Sequence, residues 1–234
     1  MSWDRQLEFD NVRKLLNYLR DRLGDAGILV FQLSFPIEDA RGFALADEDD
    51  TPPVVVLNSK DAPEARLFTI MHEFGHVLLG ESVIDMPGES GASRNDIEEW
   101  CDGFASAFLL PEEQFKNALS GVARDYLIDT AILGKFSKKF NISKAFLLRK
   151  MLDLELIAKP DFRTTLSRYD PSKHRSAKPA KGAPPPDRRC MSRVGRRFAS
   201  LIAVNLERDL ITYAGALKYL SIKSKSLGKV LERA

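Results

Sequence analysis

The sequence predicts an α+β fold: a small three-stranded sheet, expected to be antiparallel, packed on one long helix and followed by helical segments. Three observations lead there. Apolar runs rich in β-branched residues cluster between residues 28 and 57, helical periodicity dominates on both sides, and Gly or Pro marks most changeovers.

The elements follow in order. Leu7, Val12, Leu15, Leu16, Leu19 and Leu23 recur among charged residues at helical spacing, which predicts a helix over 5–23 that stops at Gly24. Residues 28–35, 42–46 and 54–57 are extended runs bounded by Pro36, Gly42, Pro52 and Pro53. The stretches between them are too short for helical crossovers, which is the ground for expecting antiparallel pairing. The next helix starts cleanly. Asp61 suits the N-cap, Pro63 the first turn, and Glu64 completes a capping-box-like pattern. It carries Leu67, Ile70, Met71, Phe74, Val77 and Leu78 and stops at Gly80. A Gly/Ser/Pro-rich loop is expected over 81–93, then a helix from Ser93 or Asn95 to Leu110, closed by Pro111. Helices follow over 112–120 and 129–157, the latter split by Asn141 and Ser143 into a helix–turn–helix.

Composition sets the outer bounds. With 44% hydrophobic residues and a net charge of +2 in 234 residues, the chain is globular and not disordered. No apolar run approaches the ~20 residues a membrane span needs. The N-terminus lacks the pattern of a secretory signal, and two cysteines are too few for a disulfide scaffold, so a cytoplasmic protein is expected. The small net charge conceals an asymmetry. Residues 171–234 hold 15 Lys and Arg against 4 Asp and Glu, while residues 1–170 hold 20 against 29. The expected organisation is therefore one domain over 1–165, a Pro/Lys-rich linker over 166–190 and a basic helical module over 191–234.

The chemistry sits on the helix after the sheet. Residues 72–76 read His-Glu-Phe-Gly-His, and positions i and i+4 share a helix face, so His72 and His76 can present two imidazoles to one point. Two imidazoles supply half of a tetrahedral zinc shell. Glu73 lies beside them, placed to deprotonate a metal-polarised water and pass the proton to a leaving amine. A third ligand is expected from Asp96-Ile97-Glu98-Glu99-Trp100-Cys101-Asp102. Glu98 is flanked by the apolar stripe Ile97, Cys101, Phe104, Ala105 and Phe108, so it is the expected ligand. Asp102, at i+4 from Glu98, is the expected acceptor for the outer nitrogen of a ligating histidine. Glu99 reads as a solvated acid and Cys101 as a small core residue.

Residues 66–76 (RLFTIMHEFGH) and 97–111 (IEEWCDGFASAFLLP) together resemble the ImmA/IrrE metallopeptidase family over roughly residues 25–160. Glu98 falls on the family's glutamate ligand, and Cys101, Phe104, Ala105, Leu110 and Pro111 also match; Asp102 stands where asparagine is usual. The resemblance implies a gluzincin-like zinc peptidase that cleaves a partner protein, typically a helix–turn–helix repressor of a mobile element or stress regulon. It also implies that residues 133–157 form the small helix–turn–helix module that follows the peptidase core. The N-terminal repressor-type domain and the GAF-type sensor found on other members are not visible here, so a repressor substrate would be a separate chain.

Two further readings come from the residues. Tyr126, Tyr169 and His174 are candidate oxyanion donors, each more commonly a surface or packing residue. In the basic module, Arg193, Arg196, Arg197, Lys218, Lys223, Lys225 and Lys229 could meet phosphates of a nucleic acid. Against this stands a solvated helical cap that docks on the acidic part of the chain or recognises its substrate. The leading function is thus a zinc-dependent endopeptidase of narrow specificity. Its rival is a DNA- or protein-binding regulator that keeps a metallopeptidase-like fold with little proteolytic activity.

Overall fold

A computed structural model describes residues 3–46, 51–80, 92–168 and 184–234. The chain groups into two compact units, one of Met1–Leu16, Ala62–Gly75 and Glu89–Lys178, the other of Asn17–Asp61, His76–Gly88 and Pro179–Ala234. Helices α1 (Trp3–Leu7) and α2 (Val12–Asp25) precede strands β1 (Leu29–Leu33), β2 (Gly42–Leu45) and β3 (Val54–Asn58). Helices α3 (Pro63–Leu79), α4 (Ala92–Leu109), α5 (Glu112–Leu119), α6 (Thr130–Phe140), α7 (Lys144–Asp153) and α8 (Lys159–Arg168) follow. The chain closes with α9 (Pro186–Glu207), α10 (Tyr213–Leu220) and α11 (Leu227–Leu231). The fold is α+β, and no described helix is long and apolar enough to cross a membrane.

In the first unit, Leu110, Phe115, Leu133, Phe140, Leu147 and Met151 form a fully buried core. Asp129 accepts from the amides of Ala131 and Ile132 to start α6, and Ser143 accepts from Phe146 to start α7. Between them Asn141 takes a left-handed conformation (φ 59°) and donates its side-chain amide to the Phe9 carbonyl (2.8 Å). This is the helix–turn–helix expected from Asn141 and Ser143. Gln6 explains the first correction. Its fully buried amide donates to the Leu109 and Phe140 carbonyls (2.9 and 3.1 Å), two acceptors that the ends of α4 and α6 leave unsatisfied. Holding Gln6 there separates α1 from α2, so the single helix expected over 5–23 is two, with Asn11 accepting from the Arg13 amide at the restart (2.8 Å).

In the second unit the sheet has the order β1-β3-β2. The expectation of an antiparallel sheet is half right: β2 pairs antiparallel with β3, but β1 pairs parallel with it, Leu29 opposite Val54 through Leu33 opposite Asn58. Short connections force antiparallel pairing only where successive strands are neighbours. Here β2 itself lies within the β1-to-β3 connection, on the far side of β3, so no helical crossover is needed. Asn58 organises the link between β1 and β2. Fully buried, it donates its amide to the carbonyls of Phe35 (3.1 Å) and Ala40 (3.0 Å).

The same unit brings the C-terminal segment onto the sheet residues. Phe31 meets Phe198 edge-to-face at 5.1 Å, in a core with Cys190, Val194, Ala199, Ile202, Leu220 and Val230. Helix α9 begins at Pro186, inside the expected linker, and α8 runs to Arg168; residues 169–183 lie outside the described residues, as does most of the loop expected over 81–93. Helix α9 is bent at Gly195 (φ 76°, ψ 166°). The bend leaves the Ser192 carbonyl open to other donors, and Arg20 Nη1 (3.0 Å) and Gln32 Nε2 (2.8 Å) both donate to it. A Cβ at position 195 would come within 3.1 Å of the Val30 carbonyl, and φ is positive, so glycine is required on two counts.

Candidate metal centre

Helix α3 runs unbroken from Pro63 to Leu79, which sets His72 and His76 on successive turns of one face. Leu67, Ile70 and Met71 anchor the helix in full burial. Helix α4 presents Cys101, Ala105 and Leu109, all fully buried at i, i+4 and i+8. The two helices come close where Gly75 faces Cys101. A Cβ built on Gly75 would lie 3.0 Å from Cys101 Sγ and 3.4 Å from its Cα. Phe74 meets Phe104 edge-to-face at 5.9 Å beside this contact. His72 is three residues before Gly75 and Glu98 three before Cys101, so the close approach lies one turn from both.

The consequence is a cluster. His72, His76 and Glu98 each offer a ligand atom, and these atoms lie within 4.8 Å of one another. Ligands on a tetrahedral zinc at ~2.0–2.2 Å stand roughly 3.3–3.6 Å apart, so the set needs only small rotamer adjustments. His72 Nε2 is 3.2 Å from Glu98 Oε2, while Nδ1–H donates to Asp102 Oδ1 at 2.9 Å. That division directs Nε2 to the cluster and Nδ1 to the outer acceptor. His76 is 1% exposed, Glu73 is buried, and Glu98 is half-buried, whereas Glu99 is exposed. Two imidazoles and one carboxylate, all neutral or anionic donors, match the ligand chemistry of a divalent zinc-like ion.

The electrostatics agree. Burial by itself lowers the pKa of His72, but the Asp102 hydrogen bond and the charges of Glu73, Asp102 and Glu98 outweigh it and raise the pKa above the ordinary value. The Cys101 thiol is pushed up to about 12, first by burial and then by Glu98, Glu73 and Asp102, so it stays a neutral packing group.

The other site residues fall elsewhere. Tyr126 is 63% exposed on the 124–126 turn, and Tyr169 and His174 lie outside the described residues. Arg193 donates to the Leu220 carbonyl and Arg196 Nε to the Ala234 carbonyl at 3.1 Å, so each spends a donor within the chain. Arg197 packs its stem against Gly24, and Lys223 and Lys225 are exposed. One residue that shapes the site is not marked by the ligand pattern itself. Gly75 carries a signal, a glycine at i+3 from His72 where helix propensity disfavours it.

The family model for peptidase M78, described as the IrrE N-terminal-like domain, matches residues 23–152. The chain belongs to the ImmA/IrrE metallopeptidase family. The match spans β1 to β3, all of α3 and α4, and nearly all of α7, so both metal-centre helices and the helix–turn–helix pair lie inside the family domain. The basic C-terminal segment lies beyond it. No curated protein and no solved structure matches the chain.

Proposed function

We propose that this ImmA/IrrE-family chain is a zinc-dependent endopeptidase of narrow specificity that hydrolyses a peptide bond in a partner protein, a helix–turn–helix transcriptional repressor of a mobile element or stress regulon. The observation that carries the reading is the convergence of His72, His76 and Glu98, with the buried carboxylate of Glu73 next to the first ligand.

His72, His76 and Glu98 would hold the ion. Bound there, zinc would supply Lewis acidity to a substrate carbonyl and to a water. Glu73 accepts the proton of the attacking water and delivers it to the departing amine nitrogen as the C–N bond breaks. Asp102 fixes the His72 ring by accepting from Nδ1–H, so the ring does not turn away from the cluster. The repressor substrate rests on family membership and would be supplied by a separate chain in the cytoplasm.

Comparison of wild type with Glu73→Gln tests the reading. Both should carry zinc; only wild type should cleave, and the inactive variant should retain its substrate through purification, which names it. Equal biological activity of the two would remove the peptidase reading and leave the regulator.

A further inference from the structure

In the second unit, the start of α9 faces residues 221–226, which join α10 to α11, across a concave pocket of about 510 Å³. Its described lining carries four cations, Arg189, Arg193, Lys223 and Lys225, and no carboxylate. Like charges converge here against their mutual repulsion. Among the described residues, Arg189, Lys223 and Lys225 make no ion pair. Asp187, next in sequence to the lining Pro186, is instead engaged by Arg233 (Nε to Oδ2, 2.9 Å). Arg193 is half-buried and held in place by donating to the Leu220 carbonyl at the end of α10.

We propose that this pocket binds a compact ligand carrying two or more phosphate groups, of nucleoside-diphosphate size. Four cations without an acid match a multiply charged anion, and Arg and Lys are the side chains that bind phosphate oxygens with charge-assisted hydrogen bonds. Ser221 and Ser226 add hydroxyls to the lining, and Ile222 adds an apolar wall for an organic moiety. The volume falls in the ~300–1,000 Å³ range of small-molecule sites. A nucleic acid fits less well. A duplex offers its phosphates along a convex surface, and single-strand sites present aromatic platforms, whereas the described lining is concave and has no aromatic residue. Three of the residues read from the sequence as nucleic-acid contacts, Arg193, Lys223 and Lys225, are therefore better placed for a free phosphorylated ligand. Because the pocket uses no residue of the metal centre, this inference stands or falls apart from the peptidase reading.

Calorimetric titration of the full chain with ADP, with pyrophosphate and with a short DNA duplex decides it, using wild type, Lys223→Gln/Lys225→Gln and Arg189→Gln. Expected is one ADP or pyrophosphate per chain, an affinity that falls with added salt, and at least about tenfold weaker binding in the double variant. Both lysines are exposed, so the melting temperature of the unliganded double variant should be unchanged; Arg189→Gln should weaken binding independently. Absence of saturable binding of either anion, binding unaltered by all three substitutions, or duplex binding through these residues that ADP fails to displace would overturn the proposal.

Discussion

Two carboxylates meet the two ring nitrogens of His72, and they serve different ends. Glu98 lies on the Nε2 side, within the ligand cluster, and Asp102 on the Nδ1 side, outside it. Removing the outer acceptor frees the ring to turn, so Asp102→Ala should weaken zinc binding about 10–100-fold in competition with a chelator. Glu99→Gln, which alters an exposed neighbour on the same helix, should leave it unchanged. Equal effects of the two substitutions would mean that the acids of α4 act only as diffuse negative charge.

At the scale of elements, α3 and α4 are set by how closely Gly75 and Cys101 approach. Gly75→Ala forces a Cβ to 3.0 Å from Cys101 Sγ and should destabilise the protein by about 1–3 kcal/mol in urea unfolding, as overpacking does. Gly103→Ala on α4 is the internal control. A Cβ there meets nothing within 4 Å, so the change should stabilise by about 0.4–1 kcal/mol. If both glycines respond alike, helix propensity and not close contact governs position 75. Helix α7 supplies a second test. Lys150 is buried and donates to Ser106 Oγ on α4 (3.1 Å); burial lowers its pKa below 10.5, with Glu112 and Asp153 partly opposing. Below the folded-state value the lysine is protonated in both states and its desolvation penalty is fully present. As pH climbs from there to 10.5 the unfolded chain holds the extra proton, so stability should increase across that window. Lys150→Met should remove this increment, read as the difference between wild-type and variant unfolding curves; parallel curves would contradict the shift.

At the scale of the molecule, what the sequence made legible was what adjacent residues decide. The two histidines are four apart on one helix, and the stripe from Ile97 to Phe108 told Glu98 from Glu99, because burial follows helical period. Asn141 and Ser143 announced their turn through local backbone chemistry, one tolerating a left-handed conformation and the other capping the next helix. Strand order was not legible, since the parallel pairing of β1 with β3 depends on where β2 goes. Nor was the break between α1 and α2, whose cause is the bonding of Gln6 to carbonyls at Leu109 and Phe140. The bend at Gly195 likewise answers to Arg20, Gln32 and Val30, residues more than 160 positions away in the chain.

Zinc titration of the metal-stripped chain tests the central claim most directly. Wild type and Glu73→Gln should each take up one zinc per chain and unfold at a higher temperature when loaded, whereas His76→Ala and Glu98→Ala should lose tight binding. Wild type without stoichiometric uptake, or Glu98→Ala binding as wild type does, would contradict it.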